Sequence, residues 1–334
     1  MGKNPYTTVK LTPTTSRFSY IAPNNHILIG CETILNDRYI DPHVSLKDDD
    51  VRGSLRSFQG TPVFGLVEFN IWGACNRKCE FCPISDPSIF TNRKEGITLE
   101  NYKRVLMDLQ RIEFDGVILW SMFSEPTLHK KILTLATVTK EILPKIQLQL
   151  TSNGDTLRAK PDKLAALFDA GLDRLNFSLY DGPDQFAEFT ELRRRAGLTR
   201  TQVKLRRRYL ESGNYGITIS NRTGLINANE YRDKNELPVV TLPLKTSCYY
   251  PFYQVAIDYN GDVLLCPHDW SKKYIAGNAF EASIWDIWKG PKFQIARDLL
   301  KKKSRTIDSC KGCDVAGNLI GEENFLAFSK INNP

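Results

Sequence analysis

Cys75, Cys79 and Cys82 fall within eight positions in the stretch NIWGACNRKCEFCPIS, residues 70–85. Thiols this close on one loop suit a metal centre, and a cubic four-iron cluster ordinarily takes a thiolate at each of its four corners. Three thiolates leave one corner open, as catalytic metal sites keep a position for an outside ligand. A second group, Cys248, Cys266, Cys310 and Cys313, is a complete set of four closed by the knuckle CKGC. Four thiolates saturate a cluster, which would then carry electrons rather than bind substrate; the same sulfurs could also form a zinc ribbon, since spacing alone does not separate zinc from iron. Cys31 is left over. The opening MGKNPYTTVKLTPTTSRF holds no apolar run of signal length, and nowhere do 18 uncharged apolar residues follow one another. The expectation is a cytoplasmic protein with no membrane partner, in which thiols bind metal rather than form disulfides.

Repeated strand–helix units must position these thiols. FGLVEFNIW (64–72) reads as a first strand and the cysteine loop leaves its end. GVILWSMF (116–123), IQLQLTSNG (146–154), DRLNFSLYDG (173–182), TQVKLRRRY (201–209) and YGITISN (215–221) read as further strands. Helical spacing follows Thr98, an N-cap residue type, and recurs over 127–142 and over 161–171, where Gly171 closes the helix. The fold class expected is α/β, a partial (β/α)6 TIM-like barrel, with the loops at the carboxyl ends of its strands forming the working face. Every unusual short motif sits at such an end: the cysteine loop, SEP (124–126), TSNG (151–154) and SLYDG (178–182). Residues 1–60 form an extension of unknown role, packing on the barrel or over its mouth. Residues 61–225 form the barrel and 226–245, rich in Asn, Glu and Lys, a linker. Residues 246–334 form a small α+β domain, with a hairpin around the Asn260-Gly261 turn, a helix over 283–300 and a C-terminal helix.

The triplet Cys75-x3-Cys79-x2-Cys82 after a first strand resembles the hallmark of the radical S-adenosylmethionine (radical SAM) superfamily. The resemblance implies a [4Fe-4S] cluster whose open iron is chelated by the methionine portion of S-adenosyl-L-methionine. One electron then cleaves the sulfonium to a 5'-deoxyadenosyl radical that abstracts a substrate hydrogen. It also implies cofactor contacts: Phe81 against adenine, Ser124 and Glu125 on the methionine ammonium, and Asn153 and Ser178 on carboxylate or ribose. Where the family has Gly-Gly-Glu-Pro, this chain has Phe123-Ser124-Glu125-Pro126, without the glycines. The second cysteine set, with SIWDIWKG and Arg297, resembles the C-terminal SPASM or twitch extension. No further cysteine follows Cys313, so one auxiliary [4Fe-4S] cluster is expected, two clusters in all.

Single-auxiliary-cluster members similar to this chain often oxidise a hydroxyl-bearing carbon of a sugar or aminocyclitol. Radical epimerisation, with Cys31 as hydrogen donor, and peptide modification are the alternatives. Asp181, Tyr253 and Asp269, with Tyr180 and His268, are candidate acid or base groups near the clusters. Gln202, Lys204, Arg206 and Arg208 share one strand face and suit an anionic small molecule if that face points inward. The family also implies a reductant such as flavodoxin or ferredoxin. Net charge is +7, with basic runs at 192–195, 204–209 and 300–305. Aromatics are not interleaved with those runs, so nucleic acid is not the expected partner, and a zinc-loaded nucleic-acid-binding protein is the reading from another class.

Overall fold

The computed structural model describes residues 42–208, 220–228 and 240–331. Cys31 and residues 215–219 of the sixth expected strand lie outside them. A short hairpin, β1 (Ser57–Phe58) and β2 (Thr61–Pro62), leads into an eight-stranded sheet. Its members are β3 (Leu66–Phe69), β4 (Val117–Trp120), β5 (Gln147–Ser152), β6 (Arg174–Leu179), β7 (Val203–Arg207), β8 (Gln254–Ile257), β9 (Asp262–Leu264) and β10 (Ile275–Asn278). They lie in the order β10-β9-β8-β3-β4-β5-β6-β7. From β8 to β7 every ladder is parallel, and only the β8-β9 and β9-β10 pairs are antiparallel.

Two faces of this sheet have different chemistry because side chains alternate along each strand. Val67, Phe69, Ile118, Trp120, Leu148, Leu150, Leu175, Phe177, Val203 and Leu205 turn outward into the main apolar core. That core is covered by α2 (Leu99–Arg111), α3 (Ile132–Ile142), α5 (Asp162–Asp169) and α6 (Pro183–Arg195). The Thr98 side chain accepts from Asn101 N and caps α2, and Gly171 follows α5 at φ +111, a conformation that favours glycine. The inner face instead carries Glu68, Asn70, Ser121, Gln149, Asn176, Ser178, Lys204, Arg206 and Gln254. A parallel sheet buried on both faces would read as continuous apolar runs, so a polar inner face marks a binding surface.

Three expectations are revised. The strand beside β3, opposite β4, is β8, which comes from the cysteine-rich C-terminal region, so the hairpin of that region extends the barrel's own sheet. The helix expected over 283–300 is two, α8 (Ile284–Lys289) and α9 (Pro291–Lys301). Pro291 cannot donate the hydrogen bond that would continue α8, but its fixed φ suits the first position of α9. Over 127–142, a single 3-10 turn at Pro126–Leu128 precedes α3.

The extension enters the inner face rather than lying outside it. Its helix α1 (Pro42–Arg52) packs Val51 with Leu66, Val117, Leu119 and Tyr253. Asp50 accepts from Gln149 and Arg174, each at 2.7 Å. Lys47 is 8% exposed, donates to Gln254 at 2.7 Å, lies 3.9 Å from Glu68 and is stacked over the Tyr250 ring.

Candidate active site

The cysteine loop is held to two strand ends by one guanidinium. Arg77 donates to both carboxylate oxygens of Asp181 at 2.7 Å, past β6, and to Asp155 at 2.5 and 2.7 Å, past β5. Arginine's fork makes such two-armed pairing possible. Asn92 accepts from Cys75 N and donates to Cys75 O, and Cys82 N donates to Cys79 O at 2.9 Å. The three thiols lie near enough to act on one another's charge, and burial pushes Cys75 up to about 12 and Cys79 to about 11. Thiols raised in this way form thiolates readily only where metal supplies compensating charge.

Glu125 follows β4 and is 2% exposed. Its Oε1 accepts from Thr127 N and Oγ1 and from Ser152 Oγ, and its Oε2 accepts from Asn153 N at 2.7 Å. The carboxylate thus ties the end of β4 to the end of β5. Asn153 in turn directs Nδ2 toward Cys75 Sγ at 3.7 Å and Asn76 Oδ1 at 2.9 Å. Ser124 donates to Asn70 Oδ1 at 2.6 Å, and Asn70 donates to the buried Asp258 at 2.7 Å. One residue before the position of the family's first glycine, Met122 takes φ +85, so a glycine-like conformation persists on a side chain that pays for it in strain. Phe81 packs 5.7 Å from Tyr180.

Cys248, Cys266, Cys310 and Cys313 also form one electrostatically coupled group, Cys266 feeling the other three. Burial pushes Cys310 and Cys313 up to about 12. Arg305, 2% exposed, donates to Thr246 O at 2.9 Å and Ala316 O at 2.6 Å, clamping the two loops that bear Cys248 and Cys313. Gly317, at φ +73, has room for no side chain, because a Cβ there would lie 2.3 Å from Cys248 Sγ. All seven described cysteines are free thiols. A zinc ion needs its sulfurs about 2.3 Å from one point. A cluster instead spreads its thiolates over the corners of a cube. The donor sets fit two clusters, the first lacking one protein ligand.

The candidate acids and bases are mostly committed. Asp181 is the partner of Arg77, which holds its carboxyl below the usual range. Asp269 is fully buried and accepts from Ser271, Ser309 and the Tyr274 amide. Tyr253 is buried beside Val51 and Tyr250. Burial holds His268 down to about 3, a neutral ring between Ser220 and Tyr250. Arg297 is structural in its contacts, donating to Pro251 O and Trp288 O and stacking 4.0 Å over Trp288.

Sequence patterns did not single out Arg222. It is half-buried, with φ +51, lies over Trp270 at 5.6 Å and feels Cys82 of one thiol set and Asp314, beside Cys313, of the other. Its Nε has no hydrogen-bond partner. Arg77 was discoverable, since it sits inside the cysteine loop and its two aspartates follow TSNG and SLY.

Residues 69–231 match the family model of the Radical SAM superfamily, and residues 248–314 match that of an iron-sulfur cluster-binding domain, SPASM. The chain belongs to the radical SAM superfamily. Among its curated relatives, the S-adenosyl-L-methionine-dependent 2-deoxy-scyllo-inosamine dehydrogenase of Niallia circulans is 28% identical over 257 residues, 75% of this chain and 93% of the relative. The GTP 3',8-cyclase of Campylobacter curvus (strain 525.92) is 27% identical over 132 residues, 38% of each chain. The crystal structure of BtrN in complex with AdoMet and 2-DOIA matches with a TM-score of 0.62 at 26% identity, over 76% of this radical SAM chain and 94% of BtrN. The superfamily's resident cofactors are S-adenosylmethionine and a [4Fe-4S] cluster. The zinc-loaded nucleic-acid-binding reading is set aside. No described helix is long and apolar enough to cross a membrane.

Proposed function

We propose that this chain is a radical SAM dehydrogenase that oxidises a hydroxyl-bearing carbon of a polyhydroxylated ring, of the aminocyclitol class that the Niallia circulans relative's name specifies. The observation that carries the reading is Arg222, a half-buried guanidinium whose Nε is buried and unpartnered and which feels the charge of Cys82 and of Asp314, the neighbour of Cys313. S-adenosylmethionine and the two clusters supply the radical that takes a hydrogen atom from carbon and the acceptor for the electron left behind. The protein's task is to hold the carbinol oxygen while its proton passes out to bulk solvent and the electron left behind passes to its acceptor. Arg222 does so as a fixed positive charge, because arginine stays protonated even when buried, and a charge aimed at a developing oxyanion in a dry site acts strongly. Trp270, Tyr180 and Phe81 exclude water around it. Cys75, Cys79 and Cys82 hold the first cluster; Cys248, Cys266, Cys310 and Cys313 hold the second. Phe81, Ser124, Asn153 and Ser178 border the cofactor, with Glu125 holding Asn153 in place. The inward residues Lys204 and Arg206 of β7 extend the reading to a ring bearing an anionic substituent, and a low-potential donor such as flavodoxin or ferredoxin belongs to the same proposal.

The test is anaerobic turnover of reconstituted enzyme with reductant, S-adenosylmethionine and 2-deoxy-scyllo-inosamine deuterated at its carbinol carbons. Deuterium in 5'-deoxyadenosine together with a ketone product supports the proposal. Deuterium entering the product from solvent, abolished by Cys31→Ala, would mean epimerisation instead. Arg222→Met should leave slow, substrate-independent cleavage of S-adenosylmethionine intact while suppressing ketone formation by at least a hundredfold.

A further inference from the structure

Among the described residues, the inner face of the sheet carries a buried polar side chain with no hydrogen-bond partner. Asn176, in the middle of β6, is 1% exposed, and both its Nδ2 and its Oδ1 are buried without a hydrogen-bond partner. Buried amides are almost always paired, because desolvating donor and acceptor without replacement costs free energy.

Strand alternation fixes where Asn176 faces. Leu175, Phe177 and Leu179 enter the outer apolar core, so Asn176 and Ser178 face inward. The register sets Thr151 of β5 on one side of Asn176 and Lys204 of β7 on the other. Surrounding polar groups on this face are already engaged. Arg174, two residues earlier on the same strand, donates to Asp50 of α1, and Gln149 donates to Asp50 and Gln147. Helix α1 therefore closes the inner face one pleat below Asn176, and the carboxamide is the next polar group above that floor.

We propose that Asn176 is a specificity-determining residue of the substrate pocket, accepting at Oδ1 from one hydroxyl and donating from Nδ2 to a neighbouring oxygen or nitrogen of the substrate ring. A carboxamide presents an acceptor and a donor side by side, the complement of a vicinal diol or amino alcohol, each of whose groups can both give and take a hydrogen bond. The inference rests on the reading of the substrate as a polyhydroxylated ring. Such a ring would satisfy both orphaned atoms, while an analogue lacking either substituent leaves one of them buried and unpaired, the situation in which polar sites discriminate most strongly.

The experiment compares wild type with Asn176→Leu, of similar volume, and with the smaller Asn176→Ser, all cluster-loaded and anaerobic. Without ligands, Asn176→Leu should melt at the same temperature as wild type or a few degrees higher, since it removes two unsatisfied atoms. S-adenosylmethionine affinity should stay within about twofold. With S-adenosylmethionine present, the affinity for 2-deoxy-scyllo-inosamine, read from its stabilisation of the melt, should fall at least tenfold in Asn176→Leu and less in Asn176→Ser. Ligand-free variants that both melt several degrees lower would show that the amide has an internal partner, and would overturn the proposal. A tenfold loss of S-adenosylmethionine affinity would assign the amide to the cofactor's ribose and overturn it equally. Ring affinity unchanged in both variants would do the same. A wild-type protein that 2-deoxy-scyllo-inosamine does not stabilise would overturn the aminocyclitol reading itself and this inference with it, a failure told apart because it precedes any substitution.

Discussion

Glu125→Gln separates two roles for the carboxylate at the end of β4. The carboxylate accepts four hydrogen bonds, three at Oε1 and one, from Asn153 N, at Oε2. Glutamine has one carbonyl oxygen, so with that oxygen in the Oε1 place its NH2 meets the Asn153 N–H. A charge-assisted bond worth about 1.5–3 kcal/mol is replaced by two opposed donors, and the other three lose their ionic partner. Burial pushes the Glu125 carboxyl above its ordinary value, so the neutral amide recovers part of this as a smaller desolvation cost. The net destabilisation is about 2 kcal/mol, or roughly 3 °C in Tm for a chain of this size. Released from Oε2, the Asn153 loop should also let S-adenosylmethionine affinity fall about tenfold. Thermal melting of the cluster-loaded protein and equilibrium binding of S-adenosylmethionine read the two effects. An unchanged melt with binding abolished would refute the reasoning, because it would mean that the carboxylate serves the ligand and not the junction of the strands.

Gly317→Ala should strip the auxiliary centre alone, since the residue is left-handed and the new Cβ would collide with Cys248 Sγ; iron should fall from about eight to about four per chain, and full iron content would contradict this. Lys47→Met leaves Glu68 buried beside Gln254 without its cation and should cost about 3 kcal/mol, most of it regained in Lys47→Met/Glu68→Gln; equal melts for the single and double variants would count against the pairing. Arg77 holds the Asp181 carboxyl below its usual range, so its contribution to stability is complete above the unfolded value near pH ~3.9 and is lost as pH falls through the lower folded value. Asp181→Asn should therefore flatten the acid limb of a Tm-against-pH profile, and an unaltered limb would exclude the clasp as its source.

Local sequence was enough for whatever depends on neighbours along the chain. The thiol spacing, the strands that precede each motif, the Thr98 cap, the Gly171 stop and the Asn260-Gly261 hairpin all rest on interactions within a few residues, which propensity and periodicity encode directly. The alternation Lys204, Arg206, Arg208 showed that those cations share a face, but only the pairing of β7 with β6 showed that the face turns inward. Pairing across distant segments has no local signature. For that reason the parallel contact of β8 with β3, the entry of α1 into the inner face, and the Arg305 clamp were illegible in the chain alone. The same holds for Arg222 and Asn176: an arginine in a polar loop and an asparagine in a strand are ordinary until folding removes water from them. Sequence alone determined which metal chemistry this protein is built to hold; the tertiary structure decided which polar groups are left, dry and unpaired, to meet the substrate, because burial belongs to the assembled sheet and to no single stretch of residues.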